Sequence, residues 1–308
     1  MSAFTSLSET QLTALLAPRG WRPVTWQPAE HGIENSNYLI DAEDQQGQPL
    51  ALVLTLFETL TAAELPWFAA LLTRLAAAGL PVPCPIALAG DTVLRCCERP
   101  ALLVPRLPGA HVEQPQAAQC AAVGGALARL HRLPPDLPRR EGAEPDDRLR
   151  ALLDWLPPDQ PVLARAARQR VARWLDRADA PTLTHADLFR DNALFDGERL
   201  TGLLDFYNAG HGDPLYDLAV AINDWCVDAA GEPQPALQRA MLEGYRSERA
   251  LTDADLAALP EALAVAALRF WLSRRASENQ QALAGAGSKD PAPFARLYQR
   301  RVAALDAS

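Results

Sequence analysis

The sequence predicts an α+β fold, with a small antiparallel β-sheet lobe over residues 1–106 and an α-rich lobe over 107–308. Three observations lead there. The first third carries short apolar runs bounded by turn residues: Trp21 to Trp26, Ile33 to Asp41, Leu50 to Phe57, Ile86 to Leu88, Thr92 to Arg95 and Ala101 to Leu107. That is the pattern of short paired strands. From Gln116 onward apolar residues recur at helical spacing, as in Val123, Leu127 and Leu130. Inside the helical region, an Asp196-Gly197 turn separates the apolar runs Ala193 to Phe195 and Leu200 to Leu204, a strong hairpin signal.

In chain order, Ser8 opens a helix through Leu12, Leu15 and Leu16, which Pro18-Arg19-Gly20 closes. Thr61 and Glu64 have capping-box spacing ahead of a longer helix to Ala78, with Leu65, Phe68, Leu72 and Leu75 as its buried stripe. Gly79, Pro81, Pro83 and Pro85 end it. Pro105 to Gly109 reads as the connection between the lobes. Gly124-Gly125, inside the helix from Gln116 to Leu133, permits close approach of another helix. Leu133 to Asp147 is rich in proline and arginine and reads as an exposed loop. Further helices are expected near Arg148 to Trp155 and Val162 to Ala178, and from Asp213-Pro214, where proline takes its favoured first position. Ala236 to Arg246, Asp253 to Arg275 and Pro291 to Leu305 complete the helical lobe.

The chemistry concentrates in THADLFRDNALFDGERLTGLLDFY, from Thr184 to Tyr207. His185, Asp187 and Asn192 precede the hairpin and Asp205 follows it, so Asp187, Asn192 and Asp205 converge at one end. Two carboxylates about 4 Å apart repel by roughly 4 kcal/mol at an effective dielectric near 20, so they call for a cation or a proton. Oxygen-only ligands suit a hard ion, above all Mg2+, which takes one or two carboxylates and fills its other positions with water and phosphate oxygens. Asn192 and Asp205 are the expected metal ligands. Asp187 is then left to orient a hydroxyl and accept its proton.

A net charge of −9 argues against nucleic acid or an anionic membrane surface as partner. No secretory signal and no apolar run long enough to cross a bilayer is evident, so a cytoplasmic protein is expected. The five cysteines include no C-x-x-C and do not read as a disulfide framework. His111, His131 and His211 read as surface or packing residues. Of 29 basic residues only Lys289 is lysine, so lysine chemistry is excluded from the first 288 positions.

HADLFRDN followed by LLDFY resembles the catalytic loop and metal-binding segment of the aminoglycoside phosphotransferase and choline kinase group, relatives of the protein kinases. Within that group the chain is most similar to the homoserine kinases of this type. The likeness extends over HGIENSNYLI (31–40), LVLTLFE (52–58), ELPWFAALLTRLAAAGLPVPCPI (64–86), GDPLYDLAVAINDWC (212–226) and LRFWLSR (268–274).

The resemblance implies a protein-kinase-like two-lobed fold that uses ATP and Mg2+. Residues 1–106 would bind the nucleotide and 107–308 would carry catalysis and the acceptor, with Asp187 and His185 as catalytic residues. The implied reaction phosphorylates the hydroxyl of L-homoserine to O-phospho-L-homoserine, a step of threonine biosynthesis. Asn35, Ser36 and Asn37 stand in the loop that would cover the phosphates, and Thr55 occupies the strand position where such kinases carry a lysine. That departure leaves the positive charge to metal, loop amides or an arginine such as Arg106. Glu64 is expected as a helix cap, and Asp217 resembles the aspartate that braces the catalytic loop. For the acceptor, Arg269, Trp271 and Arg274 would approach a carboxylate, since arginine's planar fork suits it, and Asp217 and Asp224 are the acidic candidates for an ammonium. Competing readings are a kinase for an aminoglycoside, choline or sugar derivative, a nucleotide-binding pseudoenzyme without the strand lysine, and a metal-dependent hydrolase.

Overall fold

The computed structural model describes residues 5–29, 35–177, 180–228, 230–284 and 290–307. Residues 30–34 of the expected phosphate-covering loop, and Lys289, lie outside the described residues. The chain divides into two compact units, one of Met1–Gly109 with Thr201–Leu204 and one of Ala110–Leu200 with Asp205–Ser308.

The first unit opens with α1 (Glu9–Leu16), where the Ser8 hydroxyl accepts from the Gln11 amide and the Gln11 side chain accepts from Ser8 in return. Strands β1 (Arg22–Pro28), β2 (Ser36–Glu43) and β3 (Pro49–Leu56) follow, then α2 (Leu65–Ala77), β4 (Leu94–Cys96) and β5 (Arg99–Pro105). The strands form an antiparallel five-stranded sheet in the order β1-β2-β3-β5-β4. Alternation fixes the register: Tyr38, Ile40 and Ala42 of β2 and Leu52, Leu54 and Leu56 of β3 are buried in one cluster with Leu12 and Leu16 of α1. A one-residue slip would turn that set towards solvent.

Two expectations change here. Ile86 to Leu88 is not a strand: the Ile86 amide donates to the Leu103 carbonyl at 2.8 Å, but the Ala87 carbonyl accepts from the Arg19 side chain and Leu88 pairs with Asp91 in an isolated bridge. At Thr61 the capping box is half formed. Glu64 accepts from the Thr61 amide at 2.9 Å and from its hydroxyl at 2.7 Å, so α2 starts one residue past Glu64.

The second unit contains α3 (Ala117–His131), α4 (Pro145–Leu152), α5 (Pro161–Leu175), β6 (Thr182–Thr184), β7 (Ala193–Asp196), β8 (Arg199–Leu203, shared with the first unit), β9 (Gly210–Gly212), α6 (Pro214–Trp225), α7 (Pro235–Glu248), α8 (Asp253–Ala284) and α9 (Ala292–Asp306). Strands β7 and β8 pair as the expected hairpin, and β6 pairs with β9. The expected exposed loop before α4 instead delivers Glu144, a buried carboxylate that accepts from the Arg140 and His211 amides at 2.7 and 2.6 Å. Three helices are tied by one buried amide: Asn223 of α6 donates to the Leu263 carbonyl of α8 at 2.8 Å and accepts from Arg301 of α9 at 3.1 Å.

Within α8, Asp253–Asn279 is long and apolar enough to cross a membrane, contrary to the expectation from the sequence, yet 67 % of its apolar 18-residue window is buried inside the protein. It is a core helix whose alanine-rich middle, Ala262 to Leu272, packs against other helices.

Helices α3 and α7 touch backbone to backbone. An added Cβ at Gly124 would stand 2.1 Å from the Met241 carbonyl oxygen, and one at Gly244 would stand 2.0 Å from that of Ala121. Neither contact can be relieved by a side-chain rotation. Gly244→Ala should therefore destabilise the protein by about 1–3 kcal/mol, the cost of overpacking, although alanine is the better helix former by roughly 1 kcal/mol. At Gly125, where the added Cβ finds its nearest atom at 3.4 Å, the same substitution should be tolerated. Urea midpoints of the two variants check this, and a Gly244→Ala midpoint at or above wild type would contradict it.

Candidate active site

The loop between β6 and β7 is held by one buried carboxylate. Asp217 of α6 accepts the His185 amide on Oδ2 and the Ala186 amide on Oδ1, both at 2.7 Å. His131 Nε2 donates to the same Oδ2 at 2.9 Å, and the Tyr245 hydroxyl lies 2.7 Å from His131 Nδ1. Burial by itself pushes the Asp217 carboxyl up, but the bond from His131, the charges around it and the loop amide together hold it below the ordinary carboxylate range. The grip explains a strained backbone. Ala186 has φ 61°, a left-handed conformation that costs an L-residue about 1–2 kcal/mol, and it turns the chain at the residue before Asp187.

Beyond that turn the loop is pinned twice more. The Leu188 carbonyl accepts from the Trp225 indole at 3.1 Å, and the Phe189 ring stacks among Phe270 and Phe294. Arg190 gives its amide and its Nε to Asp224 Oδ2 at 2.8 and 3.1 Å. Asn192 donates its Nδ2 to the Asp187 carbonyl at 2.8 Å, which fixes the amide plane and leaves its oxygen as the ligand-capable atom. After the hairpin, Asp205 adopts φ 57°, ψ 59°, exposed and left-handed, a conformation aspartate tolerates better than most residues. The Asn192 amide oxygen and the exposed Asp205 carboxylate are each hard donors. This suits an ion that completes its shell with phosphate oxygens and water, and among the described residues no group of three or more His, Cys, Asp or Glu offers a closed site.

Several expected site residues are employed otherwise. His185 is fully buried, its ring 4.4 Å from that of Phe206, so it packs the loop rather than facing a substrate. Asp224 is engaged with Arg190 through both the amide and the guanidinium. Trp271 is buried and stacks on Tyr298 with centroids 5.8 Å apart. Arg269 is buried over Phe270, its guanidinium 4.1 Å from the ring centroid, and donates to Asn208 Oδ1 at 3.3 Å. Arg274 is half-buried over Phe294 and donates to the Asp290 carbonyl at 3.0 Å. Desolvation lowers its pKa, while Asp224, Asp191, Asp290 and Asp187 act in the opposite sense, which sets its head in the field of the loop carboxylates.

In the first unit, Asn37 and Thr55 face each other across β2 and β3, and the Thr55 hydroxyl donates to Asn37 Oδ1 at 2.7 Å. Asn35 accepts the Glu58 amide at 3.4 Å. Ser36 is fully buried and donates to Glu58 at 2.6 Å while accepting the Thr5 amide at 2.9 Å, so its hydroxyl is structural. Arg106 pairs with Asp41 at 2.5 Å. Its amide joins the sheet opposite Ala51, four residues from Thr55 or about 13 Å along a strand, so the structure does not bring Arg106 to the Asn37–Thr55 pair.

The sequence reading missed Asn208, whose Nδ2 donates to Asp187 Oδ2 at 3.0 Å while its oxygen accepts from Arg148 at 2.5 Å. It stands in the same polar segment as Asp205, at the third position after it. His131, read from the sequence as a surface or packing residue, is buried and holds Asp217.

Removing the Asp217 carboxylate strands two amides and an imidazole in the core. Asp217→Ala should cost about 3–5 kcal/mol and abolish turnover. The folded pKa lies below the unfolded value of about 3.9, so the stabilisation is complete above that pH and is lost as pH falls through the folded pKa. Asp217→Asn should flatten the loss of stability below about pH 4, measured as urea midpoints between pH 3 and 7. An acid slope identical to wild type would remove Asp217 from this role.

The family described as "Phosphotransferase enzyme family" matches residues 25–251. A homoserine kinase of Cupriavidus necator is 37% identical over 337 residues, covering 100% of this chain and 98% of its own. One of Pseudomonas aeruginosa is 41% identical over 314 residues, covering 98% and 97%. Among solved structures, amicoumacin kinase in complex with AMP-PNP, Ca2+ and Ami aligns with a TM-score of 0.73 at 18% identity, covering 96% of this chain and 93% of that one. That likeness carries the fold: a kinase-like antiparallel sheet followed by a helical part. The chain belongs to the phosphotransferase enzyme family.

Proposed function

We propose that this enzyme transfers the γ-phosphoryl group of ATP to the side-chain hydroxyl of L-homoserine, giving O-phospho-L-homoserine for threonine biosynthesis. The observation that carries the reading is the 37–41% identity to homoserine kinases over nearly the whole length of both chains. The Asp187–Asn192–Asp205 constellation supports it.

Phosphoryl transfer asks little covalent chemistry of the protein and much positioning. Asp187, aimed by the strained turn at Ala186, orients the acceptor hydroxyl and takes its proton. Asn192 and Asp205 would hold Mg2+, which when bound supplies charge neutralisation on the phosphate oxygens. Asn37 and Thr55, with Asn35, supply short polar groups for the phosphates in place of the lysine this chain lacks. Arg274 is the candidate for the acceptor's carboxylate, because its guanidinium lies in the field of the loop aspartates while Arg269 is engaged with Asn208. Cytoplasmic residence fits a biosynthetic enzyme of this class.

Asp187→Asn should lower kcat by about 10²- to 10⁴-fold, the usual worth of a general base, with ATP binding nearly unchanged. Asp205→Asn should instead weaken Mg2+-dependent turnover and raise the Mg2+ concentration needed for it. A coupled ADP-release assay with Mg2+ titration separates the two, and loss of ATP binding with kcat preserved in Asp187→Asn would reverse the assignment.

For the acceptor, 3-aminopropan-1-ol keeps the hydroxyl and the amine of homoserine but lacks the carboxylate. It should be a poor substrate, and Arg274→Ala should raise the KM for homoserine at least tenfold, about 1.4 kcal/mol, without a matching rise for ATP. Equal turnover of the two alcohols by the wild-type enzyme would reject both the carboxylate contact and homoserine as the preferred acceptor.

A further inference from the structure

Asp187 does not stand on the loop unaided. Asn208, two residues past the buried Phe206, donates its Nδ2 to Asp187 Oδ2 at 3.0 Å. Its Oδ1 accepts from Arg148 Nη1 at 2.5 Å and from Arg269 Nη2 at 3.3 Å. A guanidinium has donors and no acceptor, so two of them on one side of the amide dictate which end is oxygen and which is nitrogen. The NH2 group is thereby turned to the carboxylate. Arg148 is fixed in turn by the Tyr207 carbonyl at 3.4 Å, and Arg269 by its place over the Phe270 ring. The two arginines come from α4 and α8, elements distant in sequence, and they meet on this single amide oxygen.

We propose that Asn208 is a positioning residue for phosphoryl transfer: an amide clamped by Arg148 and Arg269 that sets the plane of the Asp187 carboxylate against the acceptor hydroxyl. The amide passes the orientation of the two arginines to Asp187 through a neutral donor. An error of about 1 Å in such a group costs on the order of 10²-fold in rate, so the amide has enough leverage to matter. The inference rests on Asp187 being the proton acceptor.

The informative variant is Asn208→Asp. A carboxylate satisfies both guanidiniums at least as well as the amide does, so the fold should survive, but it has no donor for Asp187 and repels it. If Asn208 merely anchors the two arginines, Asn208→Asp restores function; if it positions Asp187, it does not. The expected result is a melting temperature within a few degrees of wild type, a kcat lowered by about 10- to 100-fold and a KM for ATP changed less than twofold. Asn208→Ala should lose kcat to a similar degree and lose stability as well.

In Asp187→Asn, the further change Asn208→Ala should cost almost nothing more, since a residue acting through Asp187 shows strong non-additivity with it. A wild-type kcat in Asn208→Asp, or full additivity in the double variant, overturns the proposal. A wild-type kcat in Asp187→Asn alone overturns the base assignment instead, so the two failures are told apart in one set of assays.

Discussion

The carboxylate of Asp217 is the constraint on which the catalytic loop depends. It is fully buried, and a buried charge persists only when its lone pairs are filled. Here two loop amides and an imidazole fill them. The amides belong to His185 and Ala186, so holding the charge also holds the left-handed turn that presents Asp187. The imidazole belongs to α3, which reaches its place only because Gly124 and Gly244 let α3 and α7 approach without Cβ atoms. Tyr245 of α7, beside His131 Nδ1, closes the circuit, with Arg249 donating to its hydroxyl at 3.0 Å. Helix packing and loop geometry are thus one problem. A contact that looks like plain glycine packing sets the position of the catalytic loop through three hydrogen-bonded side chains.

How much of this the sequence reveals depends on the range of the interaction. The hairpin, the strands of the first unit and most helices are local patterns, and Asp196-Gly197, Ser8 and Asp213-Pro214 stand where the structure uses them. The Asp217 brace was legible as well, but only through resemblance, because nothing in the spacing of α6 says that a carboxylate will meet amides 31 and 32 residues earlier. Ile86 to Leu88 is apolar yet forms no strand, since the Ala87 carbonyl accepts from the Arg19 guanidinium and Leu88 turns back onto Asp91, contacts that a pattern of hydrophobicity does not count. Asp224, Trp271, Ser36 and Arg106 each had the right chemistry for a ligand, and each is engaged by another part of the protein. Asn208 shows the converse: an asparagine gives no signal until its neighbours are in place.

The near absence of lysine gives the second unit a particular electrostatic design. Asp187, Asp191, Asp205 and Asp224 lie on or beside one short loop, and among the described residues the basic side chains near them are guanidiniums. These remain protonated under all ordinary conditions and carry several donors in a fixed plane. Such a group is well used when it spans two acceptors, as Arg190 does between Asp224 and the Glu113 carbonyl, and as Arg148 does between Asn208 and the Tyr207 carbonyl. A lysine ammonium in these places would supply charge without fixing a plane. Arg274 differs from them. Its named hydrogen-bond and ring partners are a carbonyl and a ring face, and burial disfavours its charge while Asp224, Asp191, Asp290 and Asp187 favour it. An anionic group arriving beside it would recover part of that desolvation cost.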